Sequence, residues 1–271
     1  RKRAASCRWL IASKMSADLK GGGVELTIDS HGVGTIAFGH PASNSLPGAV
    51  LDALAQTIDE ASSLAHCNVI VLKSWGDRAF CAGASFDELI AIQNEDEGLA
   101  FFSGFSKVIL AMRRSPKFII CRVQGKTVGG GVGIAAAADY ALATSFSSVK
   151  LSELAIGIGP FVVGPAVERK MGTAAFTALA IDAATWYDAH WAKEQGLYAQ
   201  VFDDAAAMDA AIDALAQRLA ASNPEAMAEL KRVFWGGTDH WESLLPERAA
   251  ISGRLVLSDF TREAINRFKG K

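Results

Sequence analysis

The chain has little of what metal or disulfide chemistry needs. Its four cysteines, Cys7, Cys67, Cys81 and Cys121, contain no CxxC pair. The five histidines, His31, His40, His66, His190 and His240, are scattered, and no two stand at metal-ligand spacing. No metal site is expected, and the cysteines read as buried free thiols in a reducing, cytoplasmic compartment. No apolar run approaches the ~18–20 residues that cross a bilayer, so no membrane partner is expected. Positive charge is not in excess: 27 Lys and Arg face 29 Asp and Glu, and the pI is near 6.2. That balance argues against a nucleic-acid partner. No P-loop and no dinucleotide fingerprint occurs. What is present is a chain of 271 residues, half of them hydrophobic, which is enough for a full globular core.

Two stretches stand out. Val128-Gly129-Gly130-Gly131-Val132-Gly133-Ile134 follows an apolar run at 118–123 and precedes four alanines at 135–138. That order is a strand, a glycine turn and a helix start. Glycine lets a ligand approach the backbone, and a helix start offers free N–H groups and a positive dipole end. The combination suits an anion, or a carbonyl that becomes one during reaction. Alone, a glycine cluster is more often only a tight turn. The second stretch runs from Val69-Ile70-Val71-Leu72 into Phe80-Cys81-Ala82-Gly83-Ala84-Ser85-Phe86-Asp87. Here again a strand meets a small-residue turn and a helix, expected at 86–93. Two such turns can aim two backbone N–H groups at one oxygen.

Elsewhere, Glu25-Leu26-Thr27-Ile28 and Gly34-Thr35-Ile36-Ala37-Phe38 read as a hairpin. Pro47 opens a helix that runs to about Leu64, with Val50, Leu51, Leu54, Ile58 and Ala61 at helical spacing. Helices are expected through 99–112, 131–138, 160–171, 173–181 and 189–195, the last capped by Asp188 and ended by Gly196. Strands are expected at 118–123, 140–143, 149–151 and 198–202. Beyond Asp204 the pattern is helical only. Spacing therefore gives an α/β core over 24–202 and a helical region over 204–271. The first fourteen residues are basic and free of acid, and they precede Met15. They read as translated vector or a misassigned start, with a targeting peptide as the alternative, and 1–15 is expected to be an extension outside the fold.

Taken together, Phe80-Cys81-Ala82-Gly83-Ala84 and Gly129-Gly130-Gly131 resemble the paired signature of the crotonase superfamily, the enoyl-CoA hydratases and isomerases. The likeness extends from about Val24 to the C-terminus. It takes in Pro41-Ala42-Ser43-Asn44-Ser45-Leu46, Leu151-Ser152-Glu153-Leu154 and Trp191-Ala192-Lys193-Glu194-Gln195-Gly196-Leu197. The resemblance implies a coiled β-β-α superhelix whose C-terminal helices help assemble a homotrimer or a dimer of trimers. It implies an acyl-CoA thioester as substrate, with coenzyme A part of that substrate and no separate cofactor. The N–H groups of Ala84 and Gly130 become the oxyanion donors. Arg78, Ala82, Gly131 and Phe161 become substrate contacts, Arg78 as a bidentate partner for phosphate. Lys269 is a weaker candidate for a neighbouring subunit's nucleotide.

Hydratases of this family place a water with two glutamates. By resemblance one is Glu153, in apolar company, with a surface turn-capping role as the bland alternative. The other falls at Gly133, which carries no acid. One carboxylate without its partner resembles the isomerase branch, in which a single acid removes a proton at the α-carbon and returns it at the γ-carbon. Bulky Phe161, Val162 and Val163 fit a pocket that excludes water. Asp87 or Glu88 is a possible additional acid that would restore hydration, although helix N-terminal charge explains both residues as well. Asp139 reads as a structural helix-end residue. The expected function is thus an enoyl-CoA isomerase. The alternatives are a hydratase with a substitute acid and a non-catalytic acyl-CoA-binding or scaffold protein.

Overall fold

A computed structural model of the chain describes residues 11–15 and 21–269. The chain opens with β1 (Ile11–Met15), β2 (Gly23–Ile28) and β3 (Val33–Gly39), paired antiparallel in that order. Next come β4 (Ser45–Leu46) and α1 (Gly48–Ser63). One pattern then recurs. Its first turn is β5 (Val69–Ser74), β6 (Ala79–Cys81), the short β7 (Gly83–Ala84), α2 (Phe86–Ala91) and α3 (Glu95–Arg114). The second is β8 (Ile119–Val123), β9 (Lys126–Val128) and α4 (Gly130–Ala137). The third is β10 (Tyr140–Thr144), β11 (Ser148–Lys150), a 3₁₀ turn at Glu153–Ile156 and α5 (Gly164–Ile181). After β12 (Tyr187–Asp188), α6 (Ala189–Glu194) and β13 (Gln200–Phe202) the chain is helical: α7 (Ala205–Ala220), α8 (Pro224–Phe234), α9 (Trp241–Leu255) and α10 (Asp259–Lys269).

The leading strand of each turn enters a seven-stranded sheet, ordered β1-β2-β3-β5-β8-β10-β13 among the described residues and parallel from β3 onward. The following strand enters a smaller sheet, β12-β11-β9-β6, in which β6, β9 and β11 are parallel. This is the β-β-α spiral that the resemblance implies. Central parallel strands are covered on both faces, which is why β5 and β8 read as unbroken apolar runs. Leu54, Ile58, Ile70, Leu72, Ile109 and Ile134 belong to the cluster that fills the interior. On the other face of the sheet, Met208, Ile212 and Ala216 of α7 pack on Val69, Val71, Ile120 and Leu142.

The helical tail is therefore built onto the spiral. The crossing of α3 and α9 is close enough that a β-carbon on Gly98 would stand 2.7 Å from the Gly253 backbone. Phe260 and Thr261 of α10 rest against Gly157, at the end of the 3₁₀ turn.

Two details depart from the sequence expectation. Ile11–Met15, in the segment expected outside the fold, forms the edge strand β1, while residues 1–10 and 16–20 lie outside the described ones. The helix expected at 160–171 starts only at Gly164, because Gly159-Pro160-Phe161-Val162-Val163 form a loop and turn. Gly172, at φ 80° and ψ 162°, then divides α5 where two helices are expected. Cys67, Cys81 and Cys121 are buried free thiols, and Cys7 lies outside the described residues. No helix among the described residues is long and apolar enough to cross a membrane.

Candidate active site

The two small-residue turns meet at one cavity. β7 ends at Ala84, and Ser85 caps α2 by accepting from the Glu88 N–H at 3.4 Å. Gly129, at φ 53°, turns the chain so that α4 starts at Gly130. A side chain is strained at that φ, which accounts for the glycine. The first N–H groups of a helix have no partner within it. Ala82, Gly83, Ala84, Gly129 and Gly130 all line a cavity of about 300 Å³. Phe102, Phe105, Phe161 and Val163 contribute to an apolar remainder.

Glu153 lines the same cavity, at the start of the 3₁₀ turn. Its Oε1 lies over Gly129: a β-carbon built there would stand 3.0 Å away. Oε2 is shut off from solvent and has no hydrogen-bond partner among the described residues. The residue as a whole is half-buried, so it is the carboxylate that is enclosed. Burial pushes its pKa up from 4.5 to about 7, offset in part by its own backbone N–H. A carboxyl of that kind exchanges a proton readily near neutrality.

An unpaired acid and two convergent backbone turns, set in a β-β-α spiral, agree with a match over residues 29–267 to the enoyl-CoA hydratase/isomerase family. The chain belongs to that family. A relative from Bacillus subtilis (strain 168), described as a probable enoyl-CoA hydratase, is 27% identical over 251 residues, which is 92% of this chain and 96% of the relative. An ethylmalonyl-CoA decarboxylase from Xenopus tropicalis is 24% identical over 145 residues, 53% of this chain and 48% of the relative. The crystal structure of an enoyl-CoA hydratase from Bacillus halodurans superposes with a TM-score of 0.83 at 16% identity, covering 90% of this chain and 99% of that one. The fold is thus the crotonase fold.

Within this family member the position expected for a second acid is closed. A β-carbon on Gly133 would stand 2.5 Å from Cγ1 of Val163. Neither Asp87 nor Glu88 lines the cavity. Asp87 is exposed at the first turn of α2. Glu88 reaches the other way, accepting at Oε2 from the Gly48 N–H at 2.8 Å and bracing the start of α1. Asp139 is structural: it accepts from the Ile119 N–H and the Trp235 indole N–H, and it pairs with the buried Lys231 at 2.8 Å.

Among the expected substrate contacts, Ala82 and Phe161 line the cavity. Ala82 is held by its N–H, which donates to the Asn44 carbonyl at 3.2 Å. Asn44 in turn donates to the carbonyls of Trp75 and Ala79, and this explains the asparagine of the Pro41–Leu46 motif. Gly131 is corrected to a position behind the wall, where a β-carbon would stand 2.7 Å from Cys81 Cβ. Arg78 is exposed in the loop before β6 and does not line the cavity. The side chain of Lys269 lies outside the described ones. Sequence reasoning missed Phe101, Ser252 and Lys150 as lining residues. Helical spacing marks a buried face on α3 and α9 without saying whether it meets core or cavity.

Proposed function

We propose that this protein is an enzyme that shifts the double bond of an enoyl-CoA thioester, with Glu153 as acid and base and the N–H groups of Ala84 and Gly130 as oxyanion donors. The observation that carries the reading is a single enclosed carboxyl, Glu153, lining the same cavity as both turns, with Val163 filling the space beside Gly133. Ionised Glu153 takes a proton from the α-carbon of a β,γ-enoyl thioester. The C–H electron pair moves into the thioester, whose oxygen becomes an enolate. Each rigid N–H donor to that oxygen is worth roughly 3 kcal/mol. The protonated Glu153 then delivers its proton to the γ-carbon, the carbonyl re-forms and the conjugated thioester leaves. No water takes part, so an apolar wall suits the reaction. A homotrimer or dimer of trimers acting in the cytoplasm belongs to the same proposal.

Hydration with Asp87 or Glu88 as substitute acid has weaker support, since neither residue lines the cavity. A second reading is favoured by the apolar Val163 and Phe161. An α-carboxyacyl thioester bound there loses hydration around its carboxylate. The bond from the α-carbon to the carboxylate breaks, CO₂ departs and the pair forms the same enolate. Protonated Glu153 then supplies the α-proton. Separate assays of β,γ-enoyl-CoA, α,β-enoyl-CoA and alkylmalonyl-CoA, read for isomerisation, hydration and CO₂ release, decide among the three. Turnover of β,γ-enoyl-CoA slower than hydration or decarboxylation overturns the first reading.

A further inference from the structure

A second cavity, of about 280 Å³, lies between α2 and the C-terminal helices. Ile90, Ile92, Val256 and Ile265 line it, and the exposed Gln93, Arg262 and Asn266 mark its solvent end. Leu89 is the one described residue that lines both this cavity and the catalytic one. It is only 8% exposed and packs in one cluster with Ile92, Ile158, Val256 and Ile265. Leu89 is therefore the residue at which the two cavities adjoin. The catalytic cavity is lined also by Phe86, Phe102 and Ile158, the last two in the same apolar cluster as Leu89. That apolar end suits hydrocarbon and not the amides and phosphates of a coenzyme A moiety.

We propose that Leu89 sets the length of acyl chain this protein accepts. The inference rests on the acyl-CoA reading above. The acyl chain runs from the Ala84 and Gly130 turns toward α2 and ends against Leu89. Beyond that side chain lies the second cavity, where Ile90, Ile92, Val256 and Ile265 offer apolar surface to a chain that passes Leu89. Truncating Leu89 joins the two cavities and admits a longer chain, whereas enlarging it shortens the available space.

The test is calorimetric binding of butyryl-, octanoyl- and hexadecanoyl-CoA to the full chain, its Leu89→Ala variant and its Leu89→Phe variant, each checked for native circular dichroism. Contacts with a few methylenes are worth at least about tenfold in affinity. Leu89→Ala is expected to raise the preference for hexadecanoyl- over butyryl-CoA by about that factor or more. Leu89→Phe is expected to lower the preference for octanoyl- over butyryl-CoA. If Leu89→Ala does not fold, Leu89→Phe decides alone. Preferences unchanged in the folded variants overturn the role of Leu89 and leave the acyl-CoA reading standing. Binding of none of the three thioesters by the unaltered protein overturns both.

Discussion

Oε1 of Glu153 lies over the α-carbon of Gly129, close enough that a methyl group on Gly129 would stand 3.0 Å from it. One residue thereby does two jobs. Its φ of 53° starts α4 at the cavity wall, and its missing side chain leaves room for the acid. Gly129→Ala disturbs both, since a side chain at φ 53° and ψ −115° is held in a sparsely populated conformation that costs roughly 1–3 kcal/mol, and the carboxylate must shift. The expected outcome is a small drop in Tm with a fall in kcat larger than any rise in KM. An unchanged kcat in the folded variant would mean that the carboxylate over Gly129 is not the acting group.

Replacing the acid itself separates chemistry from binding. Glu153→Gln keeps the shape and removes proton transfer, which usually contributes ~10²–10⁴-fold. Isomerase kcat should fall by at least the lower figure while acyl-CoA still binds by calorimetry. A variant that retains kcat sinks the assignment, and one that also loses binding points to a structural role.

The pKa of about 7 gives a sign to two pH profiles. As a base Glu153 must be ionised, so isomerase kcat/KM should rise with pH through about 7 and then level. Were decarboxylation with Glu153 as acid the main reaction, its rate should fall over the same range. Stability moves differently. The folded protein holds this proton more tightly than the unfolded chain, whose ordinary value is 4.5. That stabilisation is complete below 4.5 and is lost as pH rises to about 7. Glu153→Gln stays neutral, so its Tm should gain on the parent protein across this window. Parallel Tm curves for the two proteins would rule out the enclosed, proton-holding carboxyl.

Much of this was legible because local signals and tertiary environment agree. The two turns, the capping Asp188 with its bond from the Trp191 N–H, and the break at Gly172 follow from backbone chemistry that a single chain displays. What sequence could not give is direction. Glu88 and Glu153 both stand near a turn among apolar residues, yet one reaches to Gly48 and the other over Gly129. Gly131 sits in the same triplet as Gly130 but faces Cys81, since successive residues at a helix start point to different sides. Val163 lies thirty residues from Gly133 in the sequence, so only the fold reveals that it occupies the space beside it.

The buried pair of Asp139 and Lys231 should matter for stability and not for chemistry. Lys231 is 2% exposed, and its ammonium donates also to the Lys117 carbonyl. Burial pushes its pKa down, and Asp139 opposes that shift. Asp139→Ala strands this cation and removes the acceptor for Ile119 and Trp235. Breaking such a pair from one side costs about 3–5 kcal/mol. Urea unfolding should show a loss of that order, with kcat per folded molecule preserved because neither residue lines the cavity. A loss under about 1 kcal/mol, the scale of a surface pair, would mean that the site is wet.

Val163 fills the space beside Gly133, where a second acid would stand. Gly133→Glu alone brings a β-carbon to 2.5 Å from Val163 Cγ1 and 2.7 Å from Val163 Cβ. Overpacking of this kind costs about 1–3 kcal/mol, and a carboxylate forced into an apolar wall without a partner adds to it. The single variant should therefore lose Tm and gain no hydratase activity. Gly133→Glu combined with Val163→Gly removes both the Cγ1 at 2.5 Å and the Cβ at 2.7 Å and gives the new side chain room beside the cavity. The double variant should recover part of the lost Tm and add water to an α,β-enoyl-CoA, followed as loss of the conjugated thioester absorbance, while isomerisation slows. Hydration by the single variant at undiminished Tm would show that Val163 does not fill that space. A stable double variant that still adds no water would show that water is excluded by more than the missing carboxylate.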